Sequence, residues 1–417
     1  MPDFEVKDMS MAEAGKLNIE YAERNMPILM SIRARFAREK PFRGMAIGLA
    51  LHVTKETAVL VRTLAAGGAK VAIAGCNPLS TQDDVAAALA DEGISVYAKK
   101  GESKDEYYDY IGRVIGHGPA ITIDDGCDLV TALHEKKHAG ALEKVIGGCE
   151  ETTTGVIRLR AMEKDGALKY PVVAVNDNKT KHLLDNYYGT GQSSIDGILR
   201  ATNTLIAGKT FVVCGYGDCG RGVAQRAKGM GANVIVTEVD AFRALQAALD
   251  GFRVMPIAEA SKSGDIFLTV TGGKHAISVA DIKRMKDGAI LANAGHFDIE
   301  IDAAGLNRAA KPRRIRPYLD EYDLGGKKVY LCGEGRLVNL AAAEGHPSEV
   351  MATSFAGQAF ACEFLVKNRG KLAPGVVRLP GEIDDRIAAL QLEAMGLRID
   401  SLSAEQKKYL ESWKEGT

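Results

Sequence analysis

The sequence predicts an α/β protein with two doubly wound parallel-sheet domains joined by a hinge, and a small C-terminal extension. Three observations carry this prediction. From Met45 onward, short apolar runs alternate with stretches of helical period, the pattern of a parallel sheet with covering helices. In mid-chain the run Phe211–Cys214 enters Gly215-Tyr216-Gly217-Asp218-Cys219-Gly220, a turn of the kind that opens a dinucleotide-binding βαβ unit. Finally, 417 residues exceed one ordinary core, so the long segment ahead of that turn must build a domain of its own.

In the first half, strands are expected at Met45–Leu51, Lys70–Ala74, Ser95–Ala98 and Ala120–Ile123, with helices at Lys55–Leu64, Gln82–Asp91 and Lys104–Ile115. The second set starts near Lys209. It continues through a helix at Arg221–Gly229 and strands at Asn233–Thr237, Ile266–Val270, Ala289–Ala292 and Lys328–Leu331. After Glu344 the pattern turns helical again over Ser348–Lys367, and a charged amphipathic helix over Ala404–Lys414 suits packing or subunit contacts. The expected division is 1–188 for a first domain, 189–343 for the nucleotide-binding domain, 344–383 for a segment returning to the first, and 384–417 for the extension, the return being implied by the family resemblance given below.

In the glycine turn, Gly215 makes the tight bend, Gly217 admits a pyrophosphate, and Gly220 lets helix and strand pack closely. Free N–H groups at the helix start would hold the phosphates. Glu238 ends the next strand, about 20 residues on, where a carboxylate accepts from the adenine-ribose hydroxyls. It would repel a 2′-phosphate, so NAD is favoured over NADP; Arg243 nearby is the one dissenting residue.

Basic and acidic residues nearly cancel, 53 against 54, and no block of like charge stands out, so nucleic-acid and membrane-surface partners have no support. The start, Met-Pro-Asp-Phe-Glu-Val-Lys-Asp, lacks the apolar stretch of a signal peptide, and no run is long enough to span a bilayer. Seven scattered cysteines without Cys-x-x-Cys suit a reducing cytoplasm.

Polar residues cluster just past the expected strand ends: His52, Asn77, Asp124, Asp125, Glu150 and Glu151. Ligands of open α/β sheets bind beyond the carboxyl ends of strands, so these residues can share one crevice. Helix capping is the blander account and suits Asp83, Asp128 and Thr54. Lys181 and Asp185 stand one helical turn apart just before the nucleotide-binding domain. They read either as a surface ion pair or as cleft residues, where a lysine of lowered pKa takes a proton from an alcohol. His134-Glu135-Lys136-Lys137-His138 matches His-Glu-x-x-His. However, no third histidine follows at the zincin spacing, and two lysines flank the glutamate. A solvated face of a short helix is the preferred account, and no metal is expected.

Several segments then carry a resemblance. They are His52-Val53-Thr54-Lys55-Glu56-Thr57, Cys76-Asn77-Pro78-Leu79-Ser80-Thr81-Gln82-Asp83, Asp124-Asp125-Gly126, and Glu150-Glu151-Thr152-Thr153-Thr154-Gly155. With them go the surroundings of Asn186, Asn293-Ala294-Gly295-His296-Phe297-Asp298, Glu334-Gly335-Arg336-Leu337-Val338-Asn339, and Gly345-His346-Pro347-Ser348. Collinear over essentially the whole chain, they resemble the S-adenosylhomocysteine hydrolase family. The resemblance implies a cytoplasmic homotetramer of the methyl cycle that acts on a small nucleoside thioether with tightly bound NAD. The implied chemistry oxidises the ribose 3′-hydroxyl, removes the acidified C4′ proton, expels homocysteine from C5′, adds water and reduces the ketone again.

By the same resemblance, Lys181 and Asp185 handle the 3′-hydroxyl proton, Glu151 anchors the ribose, and Asn186 bridges substrate and nicotinamide. His52, Asp125 and His296 work at C4′ and C5′, their individual proton transfers left open. Thr54, Glu56 and His346 surround the base. Thr152, Thr153, Thr154, Thr271, Ala294, Gly295, Asn339 and Arg243 join Gly215, Gly217, Asp218, Cys219, Gly220 and Glu238 around NAD. Departures from the family pattern are Thr190 for a cysteine of animal members, Glu344 for a methionine, and the close at Trp413–Thr417 without the usual lysine–tyrosine tail. The first and last of these resemble archaeal or thermophilic members. Some archaeal relatives prefer inosine, which keeps S-inosylhomocysteine as an alternative substrate, although Glu56 favours an amine donor. The rivals are an ordinary NAD dehydrogenase, an inactive NAD-binding regulator and a zinc metalloprotease.

Overall fold

The computed structural model describes residues 3–414. The expectations for the first two residues and for the segment after Lys414 lie outside the described residues. In chain order the strands of the first half are β1 (Glu5–Val6), β2 (Ala46–Ala50), β3 (Lys70–Ala74), β4 (Ser95–Ala98), β5 (Ile121–Asp124), β6 (Gly147–Glu150) and β7 (Pro171–Ala174). The second half supplies β8 (Thr210–Cys214), β9 (Asn233–Thr237), β10 (Arg253–Val254), β11 (Ile266–Thr269), β12 (Ala289–Asn293), β13 (Arg313–Arg316), β14 (Leu319–Asp323) and β15 (Lys328–Cys332). A last strand, β16 (Gly375–Val377), returns to the first sheet.

Among the described residues they form two eight-stranded sheets, ordered β1-β4-β3-β2-β5-β6-β7-β16 and β10-β9-β8-β11-β12-β15-β14-β13. The first is parallel throughout. The second departs from the expected parallel pattern at one edge, where β13 and β14 run antiparallel. Only Pro317 and Tyr318 join those two strands, and so short a link can reverse the chain but cannot cross it over.

Both sheets are buried on both faces, as parallel sheets are. Phe211 and Val213 of β8 pack into one apolar cluster and Val212 and Cys214 into another. Ile47 and Leu49 of β2 likewise oppose Ala50. The helix Ser348–Lys367 is buried on nearly every side and packs Ala352, Phe355, Ala356 and Ala359 into the first sheet's core. None of the described helices is long and apolar enough to cross a membrane.

Chain order reverses between β2 and β5 in the first sheet and between β8 and β11 in the second. Such switch points open the crevices in which α/β sheets bind ligands. In the register Ala50 lies beside Asp124, so His52 and Asp125 leave the first sheet side by side. Cys214 lies beside Thr269, so Gly215 and Thr271 emerge together from the second.

Candidate active site

The two switch points face each other across a cleft of about 930 Å³. Of the residues that the resemblance assigns to substrate or NAD, all but Glu56 and Gly220 form its wall, whereas Asn77, Asp124 and Glu150 of the strand-end cluster lie outside it. Gly220 sits behind it: a Cβ there would fall inside the Gly215 carbonyl, so its absence lets the helix Asp218–Gly229 press onto β8. Glu56 is buried, its carboxylate accepting from Ser348 Oγ at 2.7 Å with Lys55 Nζ 3.4 Å away. Thr54 and Thr57 line the wall in front of it, and Thr54 also caps the helix Lys55–Ala66.

The segment His182–Gly189 is a π-helix. Its wide turns, a frequent mark of functional sites, set Lys181, Asp185 and Asn186 together. Lys181 Nζ lies 2.6 Å from Asp185 Oδ2, donates to Asn186 Oδ1 at 2.7 Å, and stands 3.7 Å from Glu151 Oε1. All four residues are buried, so the surface ion-pair account fails. The expectation of a lowered lysine pKa also needs correction. Burial works against the ammonium, but Asp185 and Glu151 outweigh it and raise the pKa. Burial likewise opposes the Asp185 charge, and Lys181 and His346 overcome it, so that carboxyl is depressed. For Glu151 burial prevails over Lys181 and the group is pushed up to about 7. Its oxygens accept from Ser354 and Gln358 of the returning helix. His346 bonds Asp185 through Nδ1 and lies 3.2 Å from Thr190 Oγ1 through Nε2.

On the facing side, Asp125 stands between two imidazoles: His52 Nε2 is 3.5 Å from Oδ2, and His296 Nδ1 is 3.5 Å from Oδ1. Burial lowers the His52 pKa to about 4 against the pull of Asp125, so the ring is neutral at neutral pH. The Asp125 turn is fixed from behind. Asp124 accepts from the N–H of Asp125 and Val130 at 2.9 and 2.8 Å, and Glu150 accepts from Gly126 N at 2.9 Å and Thr152 N at 3.0 Å. Gly126 has φ +106°, and a side chain there would run into His296. Cys76 Sγ completes a group with His52 and Asp125 in which all ligand-type atoms lie within 4.8 Å. Burial and the nearby aspartates push its pKa well up, so it remains a thiol.

The capping account of Asp83 and Asp128 needs correction as well. Each is the first residue of its helix, not the cap, and bonds elsewhere: Asp83 to Lys100 N, and Asp128 to Arg158 and Tyr107. His134-Glu135-Lys136-Lys137-His138 is not on a helix face. It spans a helix end and a 3₁₀ turn, with His134 stacked on Tyr170 and Glu135 paired to Lys137 at 2.8 Å.

At the glycine turn the fit to a dinucleotide can be tested directly. Gly215 has φ +105°, and a Cβ on Gly217 would meet nothing nearer than Arg243 Nη1 at 3.6 Å, which leaves a backbone cradle open toward the helix start. Glu238 accepts from Tyr216 N at 2.7 Å and Val239 N at 2.7 Å, which orients its carboxylate at the end of β9. Thr271 and Gly272 donate to the buried Glu300, which sequence reasoning missed. Asn339 lines the cleft; its Oδ1 is buried without a partner, while its amide donates to Ser193 at 3.2 Å. Thr152 caps the helix Thr153–Lys164, and Thr153 and Thr154 of its first turn line the opposite wall. These residues fit NAD.

Comparison with known proteins decides the family. The S-adenosyl-L-homocysteine hydrolase family model matches residues 3–141, and the model for that family's NAD binding domain matches residues 186–345. The chain belongs to the S-adenosyl-L-homocysteine hydrolase family. It is 63% identical over 417 residues to the adenosylhomocysteinase of Saccharolobus solfataricus, covering 99% of this chain and all of that one. Identity to the S-inosyl-L-homocysteine hydrolase of Methanocaldococcus jannaschii is 60% over 415 residues, again 99% of this chain and all of the relative. The adenosylhomocysteinase of Aquifex aeolicus is 57% identical over the full length of both. The chain is thus an NAD-binding enzyme of this hydrolase family.

Proposed function

We propose that the enzyme reversibly hydrolyses S-adenosyl-L-homocysteine to adenosine and L-homocysteine. The observation that carries this reading is the pairing, across one cleft, of a buried Lys181–Asp185–Glu151 set with the His52–Asp125–His296 set. When bound, NAD supplies a reversible two-electron oxidation of the ribose 3′-carbon. Thr152, Thr153, Thr154, Thr271, Asn339 and the Gly215–Gly220 turn would hold it.

Lys181 and Asp185 orient the 3′-hydroxyl, and the proton it gives up enters the lysine–carboxylate set as a unit. Glu151 is the member whose pKa lies near neutrality, the condition for efficient proton exchange. Asn186, tied to Lys181 and to Asn176 at 3.2 Å, keeps this set in register with the nicotinamide side. A 3′-ketone makes the C4′ proton acidic enough for a side-chain base. In this reading Asp125 and neutral His52 take it, and His296 serves the leaving thiolate and the entering water.

The substrate half of the molecule is assigned to 1–188 and 344–383, the NAD half to 189–343, and an extension to 384–417. A cytoplasmic homotetramer is supported by seven free cysteines and by exposed Phe242, Leu249, Ile399 and Trp413, which suit subunit contacts.

S-inosyl-L-homocysteine is the second reading, favoured by the 60% identity to the Methanocaldococcus relative. The test follows thiol release from both thioethers in parallel with NAD present. Faster release from the adenosyl compound is expected. Faster release from the inosyl compound would keep the chemistry and overturn the base assignment, and release from neither would sink the function.

A further inference from the structure

His52 leaves β2, and the neighbouring strand β3 (Ala50 pairs with Ala74) leads into the turn Asn77–Ser80 directly behind the imidazole. That turn is tied to itself. Asn77 Oδ1 accepts from Leu79 N at 3.0 Å, and the Asn77 carbonyl accepts from Ser80 N at 3.2 Å and Ser80 Oγ at 3.0 Å. Ser80 is buried, lies outside the cleft wall, and its Oγ is 2.7 Å from His52 Nδ1.

The two Ser80 contacts share one hydroxyl proton. A carbonyl oxygen only accepts, so for both contacts to be hydrogen bonds the Ser80 hydroxyl must give its single proton to Asn77. Its oxygen then accepts, and the proton in the short contact belongs to His52 Nδ1. A neutral imidazole carries one N–H, which leaves the lone pair on Nε2, the atom turned toward Asp125 and the cleft. An ionised Asp125 would draw the proton to Nε2, but that separation is 3.5 Å, long for a hydrogen bond, and the 2.7 Å contact prevails.

We propose that Ser80 is a positioning residue that holds His52 as the Nδ1–H tautomer, making Nε2 the only ring atom that exchanges a proton with substrate. This rests on the placement of His52 at the C4′ and C5′ side proposed above. Ser80 touches no substrate; it acts through the ring, as the partner of the other nitrogen sets the working tautomer of a catalytic histidine.

The test uses the full-length holoenzyme and its Ser80→Ala and Ser80→Thr variants with three readouts. The first is NADH formation on adding adenosine, which reports the 3′ side alone. The second is thiol release from the preferred thioether, and the third the ¹⁵N shifts of the His52 ring in histidine-labelled protein, assigned with His52→Gln. Wild type should show a protonated Nδ1 and an unprotonated Nε2. Ser80→Ala should mix the tautomers and slow thiol release roughly ten- to a hundredfold, the worth of one buried hydrogen bond. NADH formation should stay within about twofold, since a purely local change at the 5′ side leaves the 3′ step alone, and Ser80→Thr should restore thiol release. An Nε2–H ring in wild type, or equal loss of both partial reactions in Ser80→Ala, would overturn the proposal, as would thiol release unchanged by that variant. Failure of the underlying function would appear separately, as wild type releasing no thiol.

Discussion

Replacing Lys181 by methionine tests whether the buried charge set acts as one unit. The substitution keeps an apolar stem of similar length and removes an ammonium that touches Asp185 at 2.6 Å and Asn186 at 2.7 Å, with Glu151 at 3.7 Å. Two losses combine. A positioned acid–base group contributes about a hundredfold to ten-thousandfold to its step, and breaking a buried pair while leaving one charge behind costs roughly 3–5 kcal/mol. Asp185→Asn leaves the complementary charge and should slow the same step to a similar extent. The double variant leaves neither, so its loss should fall short of the product of the single losses by about ten- to a hundredfold, a coupling of roughly 1.4–3 kcal/mol. The assay is NADH absorbance after rapid mixing of holoenzyme with adenosine, with circular dichroism as the check on folding. Losses that multiply to within about threefold would mean independent residues and would refute the shared-proton argument.

Three further outcomes follow from the same geometry. Glu151 must be ionised to accept a proton, and burial raises its pKa to about 7, so NADH formation should fall as pH drops below that value; Glu151→Gln should lose this acid limb, and an unchanged limb would assign it to another group. Gly220→Ala pushes a Cβ into the Gly215 carbonyl and, at an overpacking cost of about 1–3 kcal/mol, should weaken NAD binding ten- to a hundredfold by calorimetry. Gly229→Ala, which meets open space, is the control, and equal effects would refute the packing argument. Glu56→Gln should narrow the ratio of adenosyl to inosyl turnover by roughly tenfold, the worth of a charge-assisted hydrogen bond; an unchanged ratio would remove Glu56 from base recognition.

Much of this molecule is legible in its sequence because period and punctuation agree. β3, β4 and β9 fall on the residues that the apolar runs indicate, and Ser348–Lys367 is helical as its pattern requires. β6 escapes because Gly147 and Gly148 open it. A side chain at the first would crowd Leu365, and at the second Tyr170 and the Thr122 hydroxyl, so the strand is glycine for packing reasons and carries no β signal. β7 begins with Pro171, which masks it in the same way. The helix after the glycine turn starts three residues earlier than its propensities suggest, at Asp218, because packing against β8 overrides the cost of Gly220 and Gly222. In the site, residues next to recognisable motifs could be named. Ser354, Gln358 and Glu300 could not, since their relevance lies in contacts to Glu151, Thr271 and Gly272 made across long stretches of chain.

The returning helix also sets the order in which the site comes into being during synthesis. Ser348 holds Glu56, while Ser354 and Gln358 hold Glu151, and β16 closes the first sheet only at Gly375–Val377. A nascent chain that has completed β7 therefore exposes an unfinished sheet edge and two acidic side chains without their clamps. The second sheet, continuous from β8 to β15, can fold in between. The first sheet is then completed last, by a strand made after the whole of the second sheet.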